Sequence, residues 1–290
     1  MNRTTSRVVE RSVAAARRLV RPLLLVAAVV AGLATGDHPQ RVRALYSIDL
    51  GSARDATTAE ATIRRVARVV QTDLGVPLPR RFTVYVYDSP RRFAEGLMLD
   101  ADVAPAAAAR LAEFAVGVTI PESFLLRMNG PAWAKAETLR LVAHELAHLG
   151  QIELAQGEGR GAQWLAEGMA EWTAYSTLER LGLGTLAGYR ATALADARAH
   201  LVAYPALDLG GLSSPAGFLS RHRREGTLPT YQVAFVLADY LIARDGLPRM
   251  LDYFRAFARE RDPARNFSGA FGQDLAAFEV EVRRYLAKTI

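Results

Sequence analysis

Apolar residues recur at intervals of three and four along most of the chain, a spacing that places them on one face of an α-helix. The clearest example is Ile63, Val66, Val69 and Val70. Segments rich in Ala, Leu and Glu extend the prediction, because these residues favour helices. The helices predicted in this way cover 56–74, 90–97, 104–115, 136–148, 163–181, 189–203, 231–243, 248–257 and 275–287.

Strand-forming residues are concentrated in the first half of the chain. The run Phe82 to Tyr87 is β-branched and aromatic and predicts a strand. Two shorter runs, 116–120 and 123–128, predict neighbouring strands of a small sheet, and another short strand is expected within 38–50. In contrast, 204–230 is rich in Pro, Gly and Ser, which predicts a long loop that wraps a cleft.

Composition indicates a folded protein with an unusual N-terminus. A chain of 290 residues, half of them hydrophobic, can bury the core of one large domain or of two lobes. The first 34 residues hold six Arg and one Glu, which is +5 of the formal net charge of +6. The rest of the chain has 30 basic and 29 acidic residues, so the charge indicates a targeting segment and no nucleic-acid partner is predicted.

The N-terminal segment has the two parts of a secretory signal. The arginines are followed by Pro22 to Gly36, 15 residues without charge. We therefore expect 1–36 to be a signal peptide, with Gly32-Leu33-Ala34 as cleavage context, or an uncleaved anchor that tethers the protein to a membrane through 18–36. This run is short for a membrane span, which typically needs about 20 apolar residues. The predicted location is extracytoplasmic, and with no Cys in the chain neither a disulfide nor a lipoprotein anchor is available.

The candidate chemistry begins with His144-Glu145-Leu146-Ala147-His148, an H-E-x-x-H sequence within a predicted helix. Positions i and i+4 of an α-helix point nearly the same way, so His144 and His148 present two imidazoles on one face. Glu145 lies about a quarter turn away, where it can reach a water molecule held by a metal but cannot share that face as a ligand. The alternative is an ordinary amphipathic helix with two surface histidines.

A third ligand is predicted on the next helix, where Glu167 and Glu171 are one turn apart. Glu167 is assigned to the metal, because two histidines and a later glutamate form the ligand set of a catalytic zinc with one open position. Glu171 is predicted to lie behind the ligands and to accept an N–H from a zinc-bound histidine, which fixes that ring's tautomer and orientation. The sequence therefore predicts one Zn²⁺ per chain.

The H-E-x-x-H sequence, the 18 residues between His148 and Glu167, and the acidic residue at Glu171 resemble the pattern of the gluzincin metallopeptidases. The similarity is greatest to the aminopeptidase N-like branch and to small peptidase MA-like proteins. The stretch 228–241 resembles the helix that carries a catalytic tyrosine in that branch, and Tyr231 falls on the tyrosine position.

The resemblance implies an α+β fold of the thermolysin-like zincin type, with a small mixed β-sheet lobe over 37–130 and a mainly helical lobe over 131–290. In gluzincins a strand at the cleft rim pairs with the extended substrate, and 116–120 or 123–128 is expected to do so. Aminopeptidases of this branch hold the substrate N-terminus with a Gly-Ala-Met-Glu-Asn motif. The chain has Gly117 to Glu122 in the comparable place, so an exopeptidase is not specifically implied.

The implied function is zinc-dependent hydrolysis of peptide bonds in an exported peptide or protein substrate. Water made acidic by the metal would lose a proton to Glu145 and attack the scissile carbonyl, and Tyr231 would stabilise the oxyanion. His222 is a second candidate for that donor role, although a solvated histidine in a basic loop is the simpler interpretation. Tyr231 has the alternative of a core residue at a helix start, and His200 is expected at the surface.

A function of another class is also compatible with the pattern. The chain could be a catalytically silent or partner-dependent binding or maturation module that keeps the zincin fold and is tethered at the membrane. Glu145 and Tyr231 favour the peptidase, because a purely structural zinc has no use for a base beside an open site.

Overall fold

The computed structural model describes residues 25–27, 44–52, 57–130, 132–157, 161–203 and 207–287. Over these residues the fold is mixed α+β and mostly helical with a small sheet, which confirms the predicted class. The predicted signal or anchor, 1–36, lies outside the described residues apart from the backbone of Leu25–Ala27. None of the described helices is both long and apolar enough to cross a membrane.

The sheet is built from four strands between residues 44 and 127 and is extended at one edge by a three-residue strand. In chain order the strands are β1 Leu25–Ala27, β2 Ala44–Asp49, β3 Arg81–Tyr87, β4 Gly117–Ile120 and β5 Ser123–Arg127. Their order across the sheet is β1-β4-β5-β3-β2. The β3 and β5 strands are parallel and the other neighbours are antiparallel, so the sheet is mixed as predicted.

The strands separate two hydrophobic cores. Side chains of successive strand residues point to opposite faces, so Phe124 and Leu126 of β5 enter the main core while Leu125 enters a smaller one. The smaller core is closed by two helices that follow β3 and precede β4. The main core lies on the other face, between the sheet and the rest of the helices, and it contains the helix of the H-E-x-x-H sequence.

Every helix predicted from periodicity is present, with ends shifted by a few residues. A π-helical turn, Val69–Asp73, continues the first of them. The helices are α1 Thr58–Arg68, α2 Pro90–Asp100, α3 Pro105–Phe114, α4 Ala136–Leu154, α5 Gln163–Arg180, α6 Leu186–Ala203, α7 Leu209–Leu212, α8 Pro215–Glu225, α9 Thr227–Asp245, α10 Leu247–Ala256, α11 Pro263–Phe271 and α12 Leu275–Ala287.

The prediction of a loop over 204–230 is wrong. From Leu209 onward the segment forms α7, α8 and the first turn of α9. Ser214 accepts a hydrogen bond from the backbone N–H of Gly217 and so caps α8, and Pro215 occupies its first turn, where a missing N–H has no cost. The Ser and Pro residues therefore mark the beginning of a helix.

Helices α4, α5 and α9 form the layer that carries the candidate site. The α5 helix packs against both of the others. Its approach to α9 is unusually close at Gly168, where an added Cβ would lie 2.1 Å from the carbonyl oxygen of Ala234. Any larger residue there would push α5 away from α9, so Gly168 sets the position of the neighbouring Glu167.

Candidate metal centre

The H-E-x-x-H residues lie in the middle of α4 and are completely buried. His144, Glu145 and His148 each have 0% of their surface exposed, as does Glu167 on α5. The alternative of two surface histidines on an ordinary helix is therefore wrong. Four polar side chains buried together need partners, because an unpaired polar or charged group in a protein interior is costly.

The structure brings three potential ligand atoms into a nearly equilateral triangle. The Nε2 atoms of His144 and His148 are 3.1 Å apart. Oε2 of Glu167 lies 3.3 Å from Nε2 of His144 and 3.4 Å from Nε2 of His148. This His144-His148-Glu167 group is also the cluster that meets the distance requirements for holding a metal ion within the described part of the chain.

The size of the triangle fits a tetrahedral cation. Zinc bonds of about 2.0–2.1 Å at tetrahedral angles place neighbouring ligand atoms about 3.3–3.4 Å apart. The observed edges span 3.1–3.4 Å. Oε2 of Glu167 is buried and has no hydrogen-bond donor, as expected for an oxygen whose natural partner is a cation. Two imidazoles and a carboxylate thus fit Zn²⁺ in both chemistry and spacing.

The charges around the triangle also fit a divalent cation. With neutral imidazoles, the ionised carboxylates of Glu145, Glu167 and Glu171 carry a charge of −3. Arg140, which is paired with Glu171 and with the exposed Glu137, balances at most one of these charges. In the metal-free protein, a proton on His144 neutralises part of this negative charge. Burial opposes a charge on His144, but the carboxylates of Glu167 and Glu171 outweigh burial and raise the pKa of His144 to about 10.

Each potential ligand has a second polar group behind it. Oε1 of Glu171 lies 3.1 Å from Nδ1 of His144, on the side of the ring away from the triangle. The other oxygen of Glu171 accepts a 2.6 Å bond from Arg140. Burial acts to raise the pKa of Glu171, but Arg140 and His144 outweigh it and lower the pKa to about 2. The structure therefore places Glu171 where an ionised carboxylate can orient His144.

Two glutamines complete this outer layer, and the sequence reasoning missed both. Oε1 of Gln151 lies 3.0 Å from Nδ1 of His148, and its Nε2 donates a 2.9 Å bond to the carbonyl of Ala166. Gln163 donates a 2.7 Å bond to Oε1 of Glu167. The available signal was helical spacing, since Gln151 is three residues after His148 and Gln163 is four before Glu167.

The carboxylate of Glu145 reaches the sheet. The expectation that 116–120 or 123–128 pairs with a substrate is not met over the described residues, because β5 lies between β3 and β4 and β4 lies between β5 and β1. The strand next to Glu145 is β4. The hydroxyl of Thr119 on β4 donates a 2.6 Å bond to Oε2 of Glu145, while Oε1 is buried without a donor. Burial raises the pKa of Glu145, which makes its carboxylate a stronger proton acceptor.

The two candidate oxyanion donors are neighbours, and one of them, Tyr231, also lies next to His144. The ring of Tyr231 is 6.4 Å from that of His144 and 6.3 Å from that of His222. His222 is not in a solvated loop as predicted but is buried on α8, 5.4 Å from the ring of Phe114. Burial and the nearby Arg223 lower the pKa of His222, which favours the neutral imidazole.

A second prediction about histidine is also corrected by the structure. His200 was expected at the surface but is buried, with Nε2 2.6 Å from Oε2 of Glu225. Glu225 also accepts a 2.7 Å bond from Arg221 and is paired with Arg224. This cluster joins α6 to the end of α8, the helix that places His222 beside Tyr231.

The arrangement as a whole can hold one metal ion between α4 and α5, with the carboxylate of Glu145 on the same helix turn as His144 and the ring of Tyr231 near His144. Comparisons with protein-family models, with curated proteins and with solved structures give no match. The geometry of the centre is therefore the basis for assigning it a function.

Proposed function

We propose that this protein is a zinc-dependent peptidase in which His144, His148 and Glu167 hold the metal and Glu145 is the general base. The observation that carries the proposal is the buried carboxylate of Glu145, with one oxygen lacking a donor, beside a triangle of three zinc-type ligand atoms. The resemblance to the gluzincins, with a thermolysin-like fold and lobes over 37–130 and 131–290, is part of the same proposal.

The ligand set favours catalytic over structural zinc. Structural sites are usually closed by four protein ligands, whereas catalytic sites have three and leave one position for water or substrate. Zinc held here would lower the pKa of water and polarise a substrate carbonyl. Three protein ligands with a carboxylate next to them are therefore what hydrolysis requires.

The side chains around the ligands would each have a distinct role. Glu145 would accept the proton of the attacking water and pass it to the leaving amine. Tyr231 would donate a hydrogen bond to the oxyanion that forms at the scissile carbonyl, with neutral His222 beside it as a second donor. Glu171 would keep His144 oriented with its Nε2 toward the metal.

A partner-dependent form of the same enzyme is the second candidate, and the burial of the centre favours it. Because His144, Glu145, His148 and Glu167 have no exposed surface, a peptide can reach them only after covering elements move. A substrate or a partner protein would supply the energy for that movement. Hydrolysis of short peptides by the purified protein alone would argue against a partner.

The substitution Glu145→Gln tests the proposed chemistry. An amide cannot accept the proton, so the variant should bind one zinc per chain and lose nearly all hydrolysis of a fluorogenic peptide library. Elemental analysis of the same sample separates loss of the base from loss of the metal. A variant that cleaves peptides at the wild-type rate would remove Glu145 from the mechanism.

Export is proposed on the sequence of the N-terminus alone. Cell fractionation should place the protein outside the cytoplasm, and N-terminal sequencing should find a start near residues 35–38 if the signal is cleaved. An intact Met1 on a membrane-bound product would identify an anchor through 18–36. A soluble cytoplasmic product would contradict export.

A further inference from the structure

The general base is held by the sheet as well as by its own helix. The hydroxyl of Thr119 donates a 2.6 Å bond to Oε2 of Glu145, and it also lies within hydrogen-bonding distance, 3.3 Å, of the carbonyl oxygen of Glu145. Both residues are completely buried. The two side chains are 26 positions apart in the sequence, so this contact exists only because β4 packs against α4.

The next inward-facing position of the same strand is occupied by a glycine. A Cβ built on Gly117 would lie 2.0 Å from Oε1 of Glu145, far inside any permitted contact. Oε1 therefore occupies the space that a side chain would otherwise fill. It is also the oxygen that has no hydrogen-bond donor. Thr119 and Gly117, two residues apart on β4, thus contact the two different oxygens of one carboxylate.

We propose that Thr119 and Gly117 position the general base, Thr119 by holding Oε2 and Gly117 by leaving room for Oε1. The inference rests on the proposed peptidase function and adds two positioning residues to it. Because the single hydroxyl proton of Thr119 is used by Oε2, Oε1 remains as the oxygen that accepts a proton from water. The contacts with β4 therefore leave Oε1, and not Oε2, as the oxygen of Glu145 that is available for catalysis.

The energetic consequence should appear in turnover and not in substrate binding. A carboxylate released from Thr119 can rotate and lose its alignment with the attacking water. Misplacing a reacting group by 1 Å can cost on the order of 10²-fold in rate. Thr119→Val keeps the shape of the side chain and removes the donor, and Thr119→Ser keeps the donor and removes a methyl group.

The experiment compares these variants in the full chain loaded with zinc. Thr119→Val should lower kcat about 10- to 100-fold with KM changed less than about twofold, and Thr119→Ser should recover most of the loss. Thr177→Val is the matched control. Thr177 is buried on α5 with a hydroxyl that has no hydrogen-bond partner, so the same substitution there should leave kcat unchanged. Gly117→Ala should lower kcat like Thr119→Val, because the added Cβ displaces Oε1.

A double-mutant cycle separates positioning from a general effect on the fold. If Thr119 acts through Glu145, Thr119→Val should have no further effect on the residual rate of Glu145→Gln. Zinc content and melting temperature of each variant are measured in parallel. An active wild type with unchanged kcat in both Thr119→Val and Gly117→Ala, or a full additional loss in the double mutant, would overturn the inference alone. A zinc-loaded wild type without peptidase activity would remove the proposed function and the inference together.

Discussion

Gln151 is the residue through which the centre can be perturbed most cleanly without touching a proposed ligand. The carbonyl of Ala166 can only accept a hydrogen bond, so the amide nitrogen of Gln151 must face it. The amide oxygen of Gln151 therefore faces Nδ1 of His148. An amide oxygen can only accept, and Nδ1 of His148 must then carry the proton. That tautomer leaves the lone pair of Nε2 free for the metal.

The substitution Gln151→Met removes both bonds at nearly constant volume. Loss of a buried partner to a metal-bound histidine typically weakens metal affinity 10- to 100-fold, which is about 1.4–2.7 kcal/mol. The Nδ1–H of His148 is left buried without an acceptor and the bond between Gln151 and α5 is lost, so the metal-free protein should lose about 1–3 kcal/mol in free energy of unfolding. The first quantity is measured by competition with a chromophoric chelator, and the second by denaturant unfolding without metal.

A control away from the centre is provided by Gln71, an exposed residue whose amide donates a longer bond, 3.5 Å, to the carbonyl of Leu78. Gln71→Met should leave the zinc dissociation constant within about twofold of wild type. If Gln151→Met binds zinc as tightly as the control while it loses stability, Gln151 only joins α4 to α5. The assignment of the His148 tautomer would then be wrong.

Two further predictions concern the oxyanion donor and the anchor of α8. Tyr231→Phe keeps the ring and its packing, so zinc content and melting temperature should be unchanged while kcat falls on the order of 10²–10³ with little change in KM. A near wild-type kcat would transfer the role to His222, and an unfolded variant would instead identify Tyr231 as a core residue. For Glu225, burial acts to raise the pKa, but Arg224, Arg221 and His200 outweigh it and lower the pKa below its ordinary value of 4.5. The stability that Glu225 contributes is thus present above pH 4.5 and lost as the pH falls through the lower folded value. Unfolding curves should show this loss in wild type but not in Glu225→Gln, and parallel pH profiles for the two proteins would contradict it.

The part of the centre that follows from helix geometry could be predicted from the sequence. The shared face of His144 and His148 and the offset of Glu145 depend on a single helix, and the structure has all three as expected. The choice of Glu167 over Glu171 went beyond helix geometry and relied on the ligand set of catalytic zinc sites, because nothing within α5 says which of its faces meets α4. The mixed helix and strand content was also predictable, because the period of the apolar residues distinguishes helices from strands within a short segment.

The residues behind the ligands could not be predicted in the same way. Gln151 is on the correct face of α4, but its second partner is a backbone carbonyl of α5, and no side-chain pattern marks a carbonyl. Thr119 could not be predicted either, because its contact with Glu145 depends on how β4 packs against α4. Such contacts are set by tertiary packing, and a glutamine or threonine at these positions is unremarkable in sequence.

The error over 204–230 has a physical explanation in the dual use of proline. Proline ends a helix from within but is favoured in the first turn, where its missing N–H is not needed. Ser214 before Pro215 is a helix start of this kind, and Asp262 before Pro263 begins α11, which was also missed. Composition alone indicated a loop, whereas the order of the cap and the proline indicated a helix.

The central claim, that one zinc ion held by His144, His148 and Glu167 supports peptide hydrolysis, is tested most directly by a zinc titration. Metal-free protein is titrated with Zn²⁺ while bound metal and the hydrolysis of a fluorogenic peptide are followed in the same sample. We predict that activity rises in proportion to bound zinc and levels off at one zinc per chain, and that His148→Ala takes up little zinc and gains no activity. The account would be contradicted if metal-free protein hydrolysed the peptide as fast as zinc-loaded protein, or if the wild-type protein took up no zinc.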